Sequence, residues 1–147
     1  MGVACQLLEE PELLPGGGAT QIALARFLRR HAETIPGREQ LAVEAFADAL
    51  EVIPRVLAEN AGLDPLDTLL RVVAEQSTST SKDAHCIGLD VIARGPANMK
   101  EKGVVEPLRI TRQVLAGATE AALSVLRIDD VLWAKQDPTI PDGLDED

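Results

Sequence analysis

Apolar residues recur at three- and four-residue spacing over four stretches of the chain, which is the period of an amphipathic helix. The predicted helices span residues 19–33, 38–60, 65–76 and 106–127. Each should turn its apolar stripe towards a core and its charged side towards water. The stripes expected to be buried comprise Leu24, Phe27, Leu28 and His31 in the first helix; Leu41, Ala42, Ala45, Phe46, Leu50, Ile53 and Leu57 in the second; Leu66, Leu69, Leu70 and Val73 in the third; and Leu108, Thr111, Leu115, Ala118, Ala122 and Val125 in the fourth.

Glycine, proline and aspartate mark the helix ends. Gly62 closes the second helix in a position suited to a left-handed cap. Asp64 is the predicted N-cap of the third helix, with Pro65 in its first turn. Pro54 lies inside the second helical pattern, where its missing N–H should kink the helix or divide it in two.

Two short β-type segments, Gly88–Ile92 and Gly103–Glu106, lie between the third and fourth helices. The residues between them include Gly95, Pro96 and Asn98, which favour a turn. A hairpin-like excursion between residues 88 and 106 is therefore expected.

Three further stretches carry weaker signals. Residues 1–15 look like a short helical start that Pro11 and Pro15 break. Ser77–Ser81 is a polar stretch typical of an exposed loop, and Arg127–Val131 is compatible with a short closing strand. The pattern as a whole predicts a mainly α fold, one mostly helical domain with a small β-excursion.

Charge and composition exclude several classes of protein. The chain has 14 basic and 24 acidic residues and a formal net charge of −10, so it lacks the basic face that nucleic acids or anionic membranes require. No apolar run approaches the ~18 residues of a membrane helix, and no secretory signal is visible. We therefore expect a cytoplasmic protein with no nucleic-acid and no membrane partner.

The sequence gives little support for a metal site or for a catalytic nucleophile. Cys5, Cys86, His31 and His85 do not have zinc-finger spacing, so two reduced, unpaired thiols are the simpler interpretation. No catalytic residue and no metal ligand is predicted. Arginines 26, 29 and 30 are interpreted as a solvated helix face.

Glycines 16–18 stand before a predicted helix, and this arrangement suits an anion or a nucleotide because the backbone permits close approach. The alternative is a tight loop without a ligand, since neither the Walker pattern nor the dinucleotide fingerprint is present. Asp90 and Glu106 lie at the ends of the predicted hairpin, where a carboxylate could accept from a sugar hydroxyl. The alternative for both is a helix cap or a solvated charge.

Seven ordered motifs between Leu14 and Val131 resemble the C-terminal half of the equatorial domain of group II chaperonins, the archaeal thermosome subunits. The motifs are Pro15–Thr20, Arg38–Pro54, Leu57–Pro65, Gly88–Val91, Glu101–Arg109, Ala118–Ala122 and Leu126–Val131. The resemblance implies a partial equatorial domain over residues 1–131. Residues 132–147 are acidic, and we expect a disordered tail there.

The resemblance also implies an ATP site. Gly16, Gly17 and Gly18 would lie beside the ribose and base, and Glu106 in the Gly-Val-Val-Glu-Pro motif would meet the ribose. The adenine side would be lined by Leu89, Asp90 and Val91, with Glu59–Gly62 shaping the adjacent helix end. The implied role is ATP-dependent protein folding, with unfolded proteins bound by a full ring of subunits.

Several family features are missing from this sequence. The phosphate-binding loop of sequence Gly-Asp-Gly-Thr-Thr, the apical and intermediate domains and the water-activating Asp lie outside the matched region. Residues 92–99 also depart from the family's usual Thr-Gly-Glu pattern. Three interpretations remain: a chaperonin component that pairs with other subunits or a complementary N-terminal fragment, an independent helical interaction module, or the remnant of a broken gene.

Overall fold

The computed structural model describes residues 10–79 and 83–129. Four helices and four short strands follow one another in this part of the chain. In chain order they are β1 (Leu13–Pro15), α1 (Ala19–Ala32), α2 (Glu39–Asn60), α3 (Pro65–Thr78), β2 (Ile87–Asp90), β3 (Gly95–Asn98), β4 (Val105–Pro107) and α4 (Leu108–Leu126). A short 3-10 turn, Ala84–Cys86, precedes β2. The predicted mainly α fold is confirmed.

The helix boundaries agree closely with the sequence pattern where local caps determine them. Gly62 has φ +68°, and the amide of Leu63 returns to the carbonyl oxygen of Ala58 at 2.9 Å, which is the expected left-handed cap. Asp64 caps α3 by accepting from the amide of Asp67 at 2.8 Å. Pro54 lies within one continuous helix, so α2 is not divided.

Two separate two-stranded antiparallel sheets replace the single excursion that the sequence indicated. A hairpin after α3 is confirmed, but only its first strand was predicted correctly: β2 pairs with Gly95–Asn98, the stretch that was expected to turn, with Asp90 opposite Gly95. Strand β4 instead pairs with β1, with Leu14 opposite Glu106. The helical start expected over residues 1–15 is wrong for Leu13–Pro15, because this segment pairs as a strand with Val105–Pro107. A partner so distant in sequence leaves no local pattern. Residues 1–9 lie outside the described part.

Three boundary predictions need correction. Helix α4 begins at Leu108, not at residue 106, because Glu106 and Pro107 belong to β4. Helix α3 continues to Thr78, two residues into the predicted polar loop, and the hydroxyl of Ser77 bonds back to the carbonyl of Val73 at 2.7 Å. Residues 127–129 form no strand, and the rest of the predicted closing strand lies outside the described part.

The core lies where α1, α2 and α3 meet the start of the hairpin. Its buried members are aliphatic, as the low aromatic content requires. They are Ile22, Ala58, Leu69, Val72, Ile87 and Leu89, with Leu57, Leu63 and Val73 packed against them.

The predicted buried face of α2 is confirmed at Leu50, with Leu57 packed against the core, but it is wrong for the rest of the stripe, because the buried face is rotated about the helix axis. The residues that are buried are Ala47, Leu50, Glu51, Pro54 and Ala58. Leu41, Phe46 and Ile53 were expected in the core but are exposed by 65%, 41% and 44%. Small residues let α1 and α2 approach closely, and the charged Glu51 is directed into that contact because it has a partner there.

That partner is Arg29 of α1. Its guanidinium donates to Glu51 and, at 2.7 Å, to Asp48, while Arg55 contacts the second oxygen of Glu51 at 3.3 Å. These carboxylates raise the pKa of the Arg29 guanidinium, with the hydrogen bond to Glu51 as the main cause. The prediction of a solvated arginine face is therefore wrong for Arg29, and Arg26 also contacts the protein, at Gln76.

The other helices also bury different residues from those predicted. In α1 the buried side chains are Ala19, Gln21, Ile22, Ala25 and Ala32, whereas Phe27 and His31 stack on each other at the surface. In α3 Thr68, Val72 and Gln76 are buried along with Leu69, and Leu66 and Leu70 are exposed by about 60%.

The chain divides into two compact units, Met1–Thr111 and Arg112–Asp147. The boundary falls within α4. Thr111 is the one buried residue of α4, and Ala118, Ala122 and Val125 of the stripe predicted for this helix are exposed. The acidic tail, 132–147, lies outside the described residues.

Candidate functional site

A cleft of about 570 Å³ opens on the first unit. Four segments border it: the glycine turn before α1, the second half of α2, the hairpin with its turn, and the chain leading into β4. Its lining residues are Gly17, Gly18, Ile53, Val56, Leu57, Asn60, Leu89, Asp90, Val91, Ile92, Ala93, Met99, Lys102, Val104 and Glu106. The surface is mainly aliphatic, with a few polar groups among the apolar ones, as in many small-molecule sites.

The glycine turn needs glycine for two reasons. Gly17 and Gly18 both have positive φ, +62° and +75°, a conformation that costs other residues about 1–2 kcal/mol. A Cβ on Gly17 would also lie 2.6 Å from the sulfur of Met99, and one on Gly18 would lie 2.6 Å from Cβ of Pro54. The turn is thus pressed against α2 on one side and the hairpin on the other.

The hairpin wall is joined to this turn by backbone contacts. The amide of Leu89 donates to the carbonyl oxygen of Gly17 at 2.8 Å. A Cβ on Gly88 would lie 2.9 Å from the carbonyl oxygens of Gly16 and Gly17 and 2.8 Å from Met99. Close backbone packing therefore requires glycine on both sides of this contact.

Asp90 organises the turn that follows β2. One carboxylate oxygen accepts from the amides of Ile92 at 2.8 Å and Ala93 at 3.0 Å, and the other accepts from Lys102 at 3.2 Å. The hydrogen bond from Ala93 lowers the pKa of Asp90, and Lys102 adds to the effect. Asp90 is therefore neither a helix cap nor a free solvated charge.

The same turn is fastened to α2 by Arg94. This residue has a left-handed φ of +58°, and its guanidinium donates to the carbonyl oxygen of Gly62 at 3.0 Å. The contact joins the tip of the hairpin to the cap of α2, so that Val91, Ile92 and Ala93 form one side of the cleft.

Glu106 reaches the cleft from strand β4, two residues before α4 begins at Leu108. Its side chain is partly buried, and the hydroxyl of Thr111 donates to it at 3.5 Å. Gly16 lies beside it: its amide donates to the carbonyl oxygen of Val104 at 2.9 Å, and a Cβ at Gly16 would be 3.5 Å from the Glu106 carboxylate.

Six of the seven residues singled out from the sequence line this cleft, and the seventh, Gly16, lies beside the lining residues Val104 and Glu106. Sequence reasoning missed Met99 and Lys102, and it assigned Ile53 and Leu57 to a core stripe. Their apolar spacing shows that they share a face of α2, but it does not show that Ile53 lies in a cleft wall and is 44% exposed, or that Leu57 both packs against the core and borders the cleft.

The described residues contain neither a metal-binding cluster nor a membrane-spanning helix. No group of three or more His, Cys, Asp or Glu side chains in 10–79 and 83–129 could hold a metal ion. No helix in the same part of the chain is long and apolar enough to cross a membrane.

Comparisons with known proteins agree with the motifs. A sequence model of the TCP-1/cpn60 chaperonin family matches residues 1–136. A thermosome subunit of Methanocaldococcus jannaschii is 52% identical over 136 residues, which cover 92% of this chain and 24% of that protein. Thermosome subunit 1 of Haloferax volcanii is 47% identical over 147 residues, covering 100% of this chain and 26% of the relative.

A solved structure supports the same relationship. The open-state monomer of a group II chaperonin from Methanococcoides burtonii superposes with a TM-score of 0.73 at 43% identity, over 79% of this chain and 28% of that one. The chain spans about a quarter of the length of the curated relatives it matches. Family match, identity and fold agree, and the chain therefore belongs to the TCP-1/cpn60 chaperonin family.

Proposed function

We propose that the cleft holds the base and ribose of an adenine nucleotide, and that the chain serves ATP-dependent protein folding as part of a larger chaperonin assembly. The observation that carries this proposal is the convergence of Gly17, Gly18, Leu89, Asp90, Val91 and Glu106 on one cleft. Its volume, about 570 Å³, is within the range of small-molecule sites.

The chemistry of the cleft suits the two parts of a nucleoside. Ile53, Val56 and Leu57 offer an aliphatic surface to the flat base. Glu106 offers a carboxylate that can accept from ribose hydroxyls, a charge-assisted bond stronger than a neutral one. Gly17 and Gly18 permit close approach of the backbone.

The phosphates have little to bind here. Lys102 is the one cationic side chain among the lining residues, and it is engaged with Asp90. The family's phosphate loop is absent from the matched motifs, and phosphoryl transfer depends on positioning and charge stabilisation of the phosphates. We therefore propose that this chain does not hydrolyse ATP by itself.

Assembly is supported by the exposed face of α2. This apolar α2 face consists of Leu41, Phe46 and Val52, all at least 41% exposed; it does not include Ile53 and Val56, which line the cleft. A contiguous apolar surface of this kind marks a contact site. Since the curated relatives are about four times longer, we propose that other chaperonin subunits or a complementary N-terminal fragment cover this face, and that unfolded proteins are bound by the complete ring.

Calorimetric titration with adenosine, ADP and ATP tests the nucleotide site. We expect weak adenosine binding and similar affinity for all three ligands, because the net charge of −10 opposes the phosphates. Glu106→Gln should weaken adenosine binding about threefold to tenfold and leave 2′,3′-dideoxyadenosine unaffected. Glu75→Gln, on the exposed side of α3, is the matched control. ATP binding far tighter than adenosine binding would contradict the proposal.

A second candidate is an independent helical interaction module, which the residues of the hairpin turn favour. Arg94 and Pro96 stand where the family usually carries other residues, so the nucleotide side of the cleft is altered. Native mass spectrometry of the chain with and without an intact chaperonin, together with the adenosine titration, distinguishes the two proposals. A stable complex with the ring supports the first proposal. If the chain binds neither the ring nor adenosine, the second is supported.

A further inference from the structure

Gln76 is a buried polar residue that the sequence pattern did not single out. It lies near the end of α3 and is 3% exposed. Its side-chain nitrogen donates to the carbonyl oxygen of Ile87 at 2.6 Å and to that of Ala19 at 3.2 Å. Arg26 donates to its side-chain oxygen at 3.5 Å. Both amide hydrogens and the amide oxygen therefore have partners.

The two carbonyl groups belong to the two walls of the cleft. Ala19 directly follows the Gly17–Gly18 turn, and Ile87 begins the strand that carries Leu89. Beyond Gln76, the same walls meet through the hydrogen bond from Leu89 to Gly17. One side chain thus joins the bases of both walls, while a backbone bond joins them closer to the cleft.

Only an amide satisfies this position. Two carbonyl oxygens require a group with two donors. Without it the Ile87 carbonyl oxygen loses its side-chain donor, which costs about 1–3 kcal/mol, whereas the Ala19 carbonyl oxygen keeps its bond within α1. A glutamate here would keep the contact with Arg26 but place a carboxylate against two carbonyl oxygens. A methionine has similar size and shape but donates nothing.

We infer that Gln76 is a positioning residue for the cleft, which fixes the separation of the glycine turn from the hairpin wall through its two hydrogen bonds. It touches no ligand and acts through Gly17 and Leu89. The consequence for nucleotide affinity rests on the proposed function, whereas the consequence for the geometry of the walls does not.

Gln76→Met in the full chain is the principal test, with two readouts. The first is amide hydrogen exchange at Leu89, whose N–H bonds to Gly17, relative to core amides that report global unfolding. The second is adenosine affinity by calorimetry. We expect Leu89 to exchange at least about tenfold faster relative to those core amides, and adenosine affinity to fall by a similar factor.

Controls separate positioning from loss of stability and from the Arg26 contact. Leu50→Ala removes a buried side chain of α2 that is 4% exposed and lies outside the core cluster that contains Ile87 and Leu89; it should destabilise the chain and leave relative Leu89 exchange and adenosine affinity unchanged. Gln76→Glu keeps an acceptor for Arg26 and should behave like Gln76→Met. Arg26→Met should behave like wild type.

Two outcomes overturn the inference: unchanged relative exchange at Leu89 in Gln76→Met, or equal changes in Leu50→Ala. If the wild type binds no adenosine, the proposed function fails, and exchange at Leu89 still decides the role of Gln76. If Gln76→Glu does not fold, Gln76→Met and its controls remain sufficient.

Discussion

The amide of Leu89 donates to the carbonyl oxygen of Gly17 at 2.8 Å, although the two residues are far apart in sequence. Leu89 is in register with Pro96 across the hairpin, and its amide donates outside the β2–β3 ladder, to the glycine turn. This bond joins two walls of the cleft, so changes at either residue should alter both stability and the cleft.

Gly17→Ala is expected to destabilise the chain by more than its backbone conformation alone explains. Its positive φ costs about 1–2 kcal/mol, and the new Cβ would also lie 2.6 Å from Met99. Gly37→Ala is the matched control, because Gly37 has φ +86° and no neighbour within 4 Å of an added Cβ. Urea unfolding should show the larger loss for Gly17→Ala; equal losses would mean that Met99 moves aside freely.

Asp90 should contribute a pH-dependent part of the stability. Its pKa in the folded chain is lowered, mainly by the hydrogen bond from Ala93, so the stabilisation is complete above the ordinary aspartate value of about 4 and is lost as pH falls through the lowered value. The difference in unfolding free energy between wild type and Asp90→Ala should be constant from pH 5 to 7 and shrink below about pH 4. A difference that persists unchanged at pH 2 would contradict this.

Arg94 combines an unfavourable backbone conformation with a favourable contact. Arg94→Ala should lower the free energy of unfolding by about 1 kcal/mol, since it loses the hydrogen bond to Gly62 and keeps the positive φ. Arg94→Gly loses the same bond but adopts this φ readily, so it should be more stable than Arg94→Ala. Chemical denaturation of both variants checks the order, and equal stabilities would argue against backbone strain.

The ion pair between α1 and α2 should stabilise the first unit. Arg29→Ala leaves the buried Glu51 with Arg55 as a partner. We expect the free energy of unfolding to fall by about 1–3 kcal/mol, which is less than for a fully buried ion pair because Arg29 is 39% exposed. Asp48→Asn removes a contact that is 64% exposed on the carboxylate side and should cost less than about 0.5 kcal/mol. Thermal unfolding of both variants tests the contrast.

The apolar α2 face should promote association of the isolated chain. We expect oligomers in gel filtration and binding of the dye ANS, because contiguous apolar surface favours self-association. The double variant Leu41→Gln, Val52→Gln should reduce both signals. Ile92→Gln, at a position 91% exposed in the hairpin turn, should not. A monomeric wild type with a cooperative melt and no dye signal would contradict this prediction.

Helix locations and caps were predictable because their causes are local. Gly62, Asp64 and Pro65 end one helix and begin the next through contacts within a few residues, and the sequence shows all three directly. Only the first strand of the hairpin was predicted correctly, because Gly95–Asn98, which favour a turn by composition, form its second strand. Strand β1 was not, because Leu13–Pro15 becomes a strand only by pairing with Val105–Pro107.

The candidate site was found in part through motifs. Gly17, Leu89, Asp90 and Glu106 were identified by resemblance, and they line one cleft in the structure. The motifs did not show what each side chain contacts: Asp90 holds a turn together with Lys102, and Glu106 projects from a strand. Gln76 escaped notice because a single polar residue in a helix carries no signal until its carbonyl partners are known.

The sequence by itself determined where the chain is helical, where glycine is indispensable and to which family it belongs, since these depend on local conformation and on ordered motifs. The tertiary structure decided which face of each helix is buried. Apolar spacing shows only that apolar side chains share one face of a helix. On α2 that face forms a cleft wall and an exposed surface. The pairing of Arg29 with Glu51 turns the charged side of the same helix inward, because a buried carboxylate is tolerated only where a partner from another helix neutralises it.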